Sequence, residues 1–442
     1  MAFYKFPIRW LFVFLVFAET GCQKNKDATD TNPDGTDSSS VKIEGTIYWK
    51  YGSKIRSLNL KTNAFIESPT IKYPGSSFNY TPLAYDSGFL YTGNTFGATC
   101  VNASTGAIAW ETAYSSSNYN SSSTILKNSV VISGSLIYIV GYTGASGQRC
   151  LYAIDKATGA IKWSKTTTGI HDFSLLTTPV INGEQIIVAA NNDGSFGSDL
   201  NRLICLNKNT GGVIWDKTFK ARLGSWLVVN NNILYLKTID SARVIAINTI
   251  DGAQKWKTDF VTANADDKLL CADNDLVVHM GSNNPASNYY YYLDYNTGAI
   301  KGSFSENNLF FGSWVKTDLN YIAAAGLKLT AFDSKTHAVQ WKVQAQHVLD
   351  QDTIPAAVSW GVTDLVHYND YVLQFAIWTN PNLPVEDRVR IKTIYVTDIK
   401  NGKTVQRIPL AKDIPVSNPA FGFILVNQNK VYYTHYSGNV KG

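Results

Sequence analysis

Apolar residues in this chain gather in short runs and show no helical stripes. Between Thr177 and Lys217 four runs follow one another, "TTPVING", "EQIIVAANN", "RLICLNKNTG" and "GVIWDK", rich in Val and Ile and bounded by Asn, Gly or Lys. Runs of this length, apolar without strict alternation, suit β-strands covered on both faces. They predict a four-stranded meander, strands A to D, with brief A–B and C–D turns.

The meander is written repeatedly. "LYAIDKATGAIKWSK" at 151–165 returns as "LICLNKNTGGVIWDK" at 203–217, and one residue of the C–D turn marks every copy: Asn63, Gly106, Gly159, Gly211, Gly252, Gly298, His337 and Gly402, mostly 39 to 53 residues apart. Four residues before the marker stands an Asp or Asn in all eight copies: Asn59, Asn102, Asp155, Asn207, Asn248, Asp294, Asp333 and Asp398. An Asx side chain can accept backbone N–H groups just ahead of it, and glycine accepts the positive φ of a tight reversal. Four residues after the marker five copies carry Trp110, Trp163, Trp215, Trp256 and Trp341, while the first, sixth and eighth carry Glu67, Gly302 and Gln406.

A meander with two apolar faces cannot bury them alone, so copies must stack, and a radial stack closes into a β-propeller. The repeated Trp is expected in the seam between blades, where full burial of about 150–250 Å² stabilises by about 4–6 kcal/mol at most. The string Asp/Asn-x-x-Thr-Gly followed by Trp, running from Val41 onward, resembles the pyrroloquinoline quinone (PQQ) repeat of quinoprotein-dehydrogenase-type propellers. That resemblance implies an all-β fold of eight four-stranded antiparallel blades over residues 41–442, with seven blades as the alternative because three copies are degenerate. The C-terminal "FGFILVNQNKVYYTHYS" holds two strands without a turn copy. They are expected to complete the blade begun at "GTIYWKYGSKIRSLNL".

Composition sharpens this. Aromatic residues at 13%, with 25 Tyr and 11 Trp, agree with an all-β core, and a net charge of +5 spread along the chain argues against nucleic acid. Residues 1–21 read as a bacterial lipoprotein signal: Lys5 and Arg9, then an apolar stretch too short to span a bilayer, then Gly21-Cys22. Cys22 is the expected lipidation site. Glu19 departs from the aliphatic residue that such signals prefer three places before the cysteine. Residues 22–40 are polar and read as a tether. The membrane contact expected is the lipid anchor alone, on a monomeric propeller of the bacterial envelope, at the outer membrane, facing either the periplasm or the exterior.

Length variation falls on the rim made by B–C and D–A connections, in 114–124, 191–200, 281–288 and 378–388. Variable loops on a rigid scaffold are where binding usually resides. Trp226 and Trp314, four residues before A–B turns, and Trp360, in the D–A connection of the longest repeat, are the candidate binding residues on that face; the alternative is that they pack between blades. Catalytic chemistry is poorly represented. The six histidines show no metal spacing, and Cys100, Cys150, Cys205 and Cys271 form no C-x-x-C pair; Cys100 and Cys205, six residues before their markers where other copies carry Ala, read as small buried fillers, with a disulfide as the alternative. Asn191, Asp193 and Asp199 could offer oxygens to a cation but lack the spacing of an EF-hand. Asp350 and Asp352 are a loop pair able to share a proton or a cation.

Enzymes of the resembling family hold the quinone against a disulfide of adjacent cysteines, which this chain lacks, and bind calcium. No cofactor is therefore expected, with PQQ and calcium the two to test. Short lipoprotein members of the same repeat family, which support outer-membrane β-barrel assembly, match in plan. The reading that results is a non-catalytic binding or scaffolding module whose partner is an envelope protein or a glycan. The alternatives are a quinone-dependent periplasmic dehydrogenase and a glycan-binding surface lipoprotein.

Overall fold

The computed structural model describes residues 43–433 apart from 52, 74–82, 95, 115–129, 144–147, 167–172, 193–200, 239–240, 261–268, 281–288, 306–313, 326–327, 345–359, 363–364, 380–389 and 410–422. Every regular element among the described residues is a strand, and the strands form eight antiparallel sheets. The fold is an eight-bladed β-propeller, which decides the count against seven.

Blades 2, 3, 5, 6 and 7 are simple A–B–C–D meanders. Blade 5 is representative: Leu223–Asn230, Ile233–Thr238, Arg243–Asn248 and Gln254–Asp259. Blades 4 and 8 split strand A into two pieces that pair with one B strand, Phe173–Leu176 with Val180–Asn182, and Trp360–Val362 with Val366–Tyr368. Blade 1 joins the chain ends. Its B, C and D strands are Thr46–Tyr51, Lys54–Asn59 and Phe65–Glu67; Phe423–Asn427 pairs with Thr46–Tyr51 as strand A, and Lys430–Tyr433 adds a fifth strand. The two C-terminal strands thus close the ring as the sequence implies, although the closing blade has five strands and not four.

Contacts between A strands of successive blades, such as Val180–Asn182 with Leu223–Asn230, place these strands innermost. The core is divided accordingly into eight apolar clusters, one per seam. Blades 4 and 5, for example, are joined by Ile187, Leu203, Cys205, Trp215, Leu234 and Ile245, and blades 8 and 1 by Val366, Leu373, Ile394, Ile47 and Trp49.

The repeated turn explains why the sequence is so uniform there. In all eight copies the marker donates its N–H to the carbonyl of the Asx residue, whose own N–H donates to the residue after the marker. The Asx oxygen accepts the N–H two residues on in every copy, as in Asn209 N to Asn207 Oδ1 at 3.0 Å. All eight markers have positive φ, from 57° at Asn63 to 75° at Gly159. Except in blade 1, the C–D ladder shifts register just before this turn. Such a bulge re-aims the side chains beside it.

Candidate functional site

The five repeated tryptophans do more than fill space. Each ring of one blade lies on the marker glycine of the next. A Cβ added to Gly211 would stand 2.7 Å from Trp163 Cε3, and one added to Gly159, Gly252, Gly298 or Gly402 would stand within 2.8 Å of Trp110, Trp215, Trp256 or Trp341 respectively. Each indole Nε1 also donates to the carbonyl one residue past the neighbouring Asx: Trp110 to Lys156, Trp163 to Lys208, Trp215 to Thr249, Trp256 to Tyr295 and Trp341 to Ile399, at 2.7–3.0 Å. Glycine is therefore needed twice at the marker, for its φ and for the ring above it. Opposite each Trp on strand C stands a small residue, Cys100, Ala153, Cys205, Ala246 or Ala331. Trp110, Trp163 and Trp341 stay half-exposed, so only Trp215 and Trp256 approach the full burial expected.

Blade 6 inverts the arrangement. Gly302 stands where Trp would, Tyr292 faces it on strand C, and the marker of blade 7 is His337. The imidazole stacks on Tyr292 with centroids 4.0 Å apart, Nε2 lies 2.7 Å from Asp275 Oδ2, and Nδ1 lies 3.2 Å from the Tyr321 hydroxyl. Asp275 also pairs with Lys301. This Asp–His–Tyr chain was invisible in the sequence, where the partners are 62 and 16 residues apart. Both ring nitrogens are engaged and the residue is 8% exposed, so the group joins blades 6 and 7 and presents no lone pair to a ligand.

This rim, which carries the A–B and C–D turns, is stitched from blade to blade. Asn182 Nδ2 reaches Asn232 Oδ1 and Thr249 Oγ1, both at 2.8 Å, Lys156 pairs with Asp86 at 2.6 Å, and Ser334 donates to Asp273 at 2.7 Å. The opposite rim carries the variable loops, of which 115–124, 193–200, 281–288 and 380–388 lie outside the described residues, as do Asp193, Asp199, Asp350 and Asp352.

The three candidate tryptophans fall at different depths. Trp226 is half-buried on strand A of blade 5. Trp314 opens strand A of blade 7 and is only 9% exposed, packed against Tyr290 at 5.0 Å, Tyr321 at 5.6 Å and Phe332 at 6.4 Å. It packs between blades 6 and 7. Trp360 begins strand A of blade 8, its backbone opposite Trp378; its side chain lies outside the described residues.

Asn191 is not available as a cation ligand: its amide donates to Leu223 O at 2.6 Å and accepts Leu223 N–H at 2.8 Å, tying blade 4 to blade 5. The four thiols are free and buried, and burial pushes Cys100, Cys150, Cys205 and Cys271 up to about 12, 11, 12 and 12. Such thiols are neutral packing groups and not nucleophiles. Among the described residues no cluster of three His, Cys, Asp or Glu could hold a metal, and no helix is long and apolar enough to cross a membrane.

The family model described as outer membrane protein assembly factor BamB matches residues 38–196 and 199–441. Among solved structures, the computationally designed Ika8 protein is 12% identical with a TM-score of 0.52, covering 80% of this chain and 97% of that one. Quinohemoprotein alcohol dehydrogenase from Comamonas testosteroni is likewise 12% identical at 0.52, over 80% and 69%. BamB from Moraxella catarrhalis is 12% identical at 0.47, over 74% and 92%. The likenesses to Ika8 and to the alcohol dehydrogenase are of fold. No curated protein sequence matches significantly.

Proposed function

The chain belongs to the family described as outer membrane protein assembly factor BamB, and from that premise we propose that it is a non-catalytic binding module of the bacterial cell envelope, lipid-anchored at Cys22. In this reading it engages an envelope protein through the rim opposite the stitched turns. The observation that carries the proposal is the family match across almost the whole ring. The chemistry of these residues supports it: Asp275, His337 and Asn191 bond across blade seams, and the four thiols are buried and free. A rigid disc with one uniform rim and one variable rim suits recognition.

The test is photo-crosslinking in the native envelope from position 226, with crosslinked proteins identified by mass, beside membrane fractionation of Cys22→Ala. The expected results are one envelope protein captured from position 226 and release of the Cys22→Ala chain from the membrane. In parallel, PQQ with calcium is added to the purified protein. A raised unfolding midpoint together with dye-linked alcohol oxidation would overturn the proposal in favour of a dehydrogenase, and capture of polysaccharide in place of protein would favour glycan recognition.

A further inference from the structure

Strand B of blade 1 carries a lysine turned the wrong way. A lysine at a strand end normally runs its stem over apolar surface and keeps its ammonium in water. In Lys50 the stem retains some exposure while Nζ is sealed from solvent and has no hydrogen-bond partner. Burial pushes the amine down to about 8.

Alternation along the strands shows what the amine faces. Tyr48 and Lys50 share one face of blade 1, and Leu90 with Thr92 and Val101 with Thr99 share one face of blade 2. Tyr48, Leu90 and Val101 belong to the cluster joining these two blades. Lys50, Thr92 and Thr99 therefore line the same seam, one step nearer the loop rim. Thr92 is 1% exposed and its hydroxyl also lacks a partner. Thr99 is satisfied, donating to Glu111 Oε1 at 3.2 Å, and the same carboxylate oxygen accepts Lys72 N–H at 2.7 Å. Glu111 is occupied by these donors and not by Lys50.

The repeat supplies its own control. The positions equivalent to Lys50 are Gly93, Val140, Ala189, Lys237, His279, Ala324 and Phe375, five of the seven apolar or glycine. Those equivalent to Thr92 are Trp49, Ile139, Val188, Leu236, Val278, Ala323 and Gln374. The blade architecture needs no polar group at either place. Two buried donors facing one seam, each costly to leave unmade, mark a place where an acceptor belongs.

We propose that the seam between blades 1 and 2 is a binding site for a small anion, of the size of a halide or a simple carboxylate, held by Lys50 Nζ and Thr92 Oγ1. The chemistry is charge-assisted hydrogen bonding in a dry setting, which favours a compact monovalent acceptor over a bulky one.

The test uses the full chain and measures the unfolding midpoint in sodium bromide and sodium formate, against the sodium salt of a large sulfonate buffer at equal ionic strength. Bromide and formate should raise the midpoint saturably in the wild type. Lys50→Met, which matches the apolar equivalents in other blades, should unfold at a higher midpoint than wild type without anion and give no saturable response. Thr92→Val should weaken the response several-fold, and a bromide-soaked crystal should show anomalous signal at Lys50 Nζ. A response that persists in Lys50→Met, or a wild type indifferent to both anions, overturns the site.

Discussion

Gly211→Ala tests the docking of one blade on the next. The new methyl group must accept φ near +70° and would sit 2.7 Å from Trp163 Cε3 and 2.8 Å from Cδ2. The left-handed backbone alone costs about 1–2 kcal/mol for an L-residue. Carbon atoms prefer about 3.5–4.0 Å, so the ring must retreat by about 1 Å, at an overpacking cost of about 1–3 kcal/mol. That movement also strains the Trp163 Nε1 bond to Lys208 O, now 3.0 Å long. Gly134 is the matched control, with φ +59° and nothing within 4 Å of an added Cβ. Urea denaturation should show Gly134→Ala losing about 1–2 kcal/mol and Gly211→Ala losing about 1–3 kcal/mol more. In a double-mutant cycle with Trp163→Ala the extra loss should vanish, giving a coupling of about 1–3 kcal/mol. Equal losses at the two glycines, or simple additivity, would refute the docking.

The buried thiols make a second measurement. Unfolded cysteine ionises near 8.5 while these four stay neutral to about 11 or 12, so stability is fully present below about pH 8.5 and falls as pH rises, by about 1.4 kcal/mol per unit for each thiol. Urea midpoints from pH 8 to 11 should show this, less steeply after Cys205→Ala, and a thiol reagent at pH 8 should leave all four unlabelled until the chain unfolds. Asn191→Ala leaves the Leu223 amide and carbonyl without their partners and should cost about 1–3 kcal/mol in the same assay. Gly302→Ala should destabilise although its φ is ordinary, because the new methyl would clash with Tyr292 Cε2; in a Tyr292→Ala background, itself less stable, the further loss from Gly302→Ala should largely vanish. Trp49 Nε1, Lys50 Nζ, Thr92 Oγ1 and Gln406 Oε1, all buried without partners, line the two seams beside blade 1, so amide exchange in Lys54–Asn59 should outpace that in Arg243–Asn248 of blade 5.

The turn was readable because its chemistry is local: an Asx oxygen and a positive-φ residue meet within five positions. The ring above the glycine was not, since Trp163 and Gly211 belong to different copies. A trace of it does lie in the sequence. The two markers that are not glycine, Asn63 and His337, each follow a copy without Trp, carrying Gln406 and Gly302. For Asn63 the rule holds only if the eighth copy precedes the first, so the pattern itself presupposes a closed ring. Gly106 after Glu67 breaks it, and there Ile66 Cγ2 stands 2.9 Å from where a Cβ would be. Trp314 could be placed at the start of an A strand from its distance to the A–B turn, but its depth depends on Tyr290 and Phe332 across the seam. Pairings of that kind, like His337 with Asp275, follow from which blade faces which.

The chain enters the ring along Thr46–Tyr51, with Lys54–Asn59 on one side and Phe423–Asn427 on the other. Ladder hydrogen bonds in antiparallel sheets run perpendicular to the strands. Tension applied through the preceding segment therefore loads both ladders in shear, and the pairs from Thr46↔Asn59 to Tyr51↔Lys54 and from Thr46↔Val426 to Trp49↔Phe423 must yield together. A propeller that hung by an outermost strand could be peeled one bond at a time. Here a pull at one end of the polypeptide is gripped by the other end, and the blade that completes the circle is also its mechanical clamp.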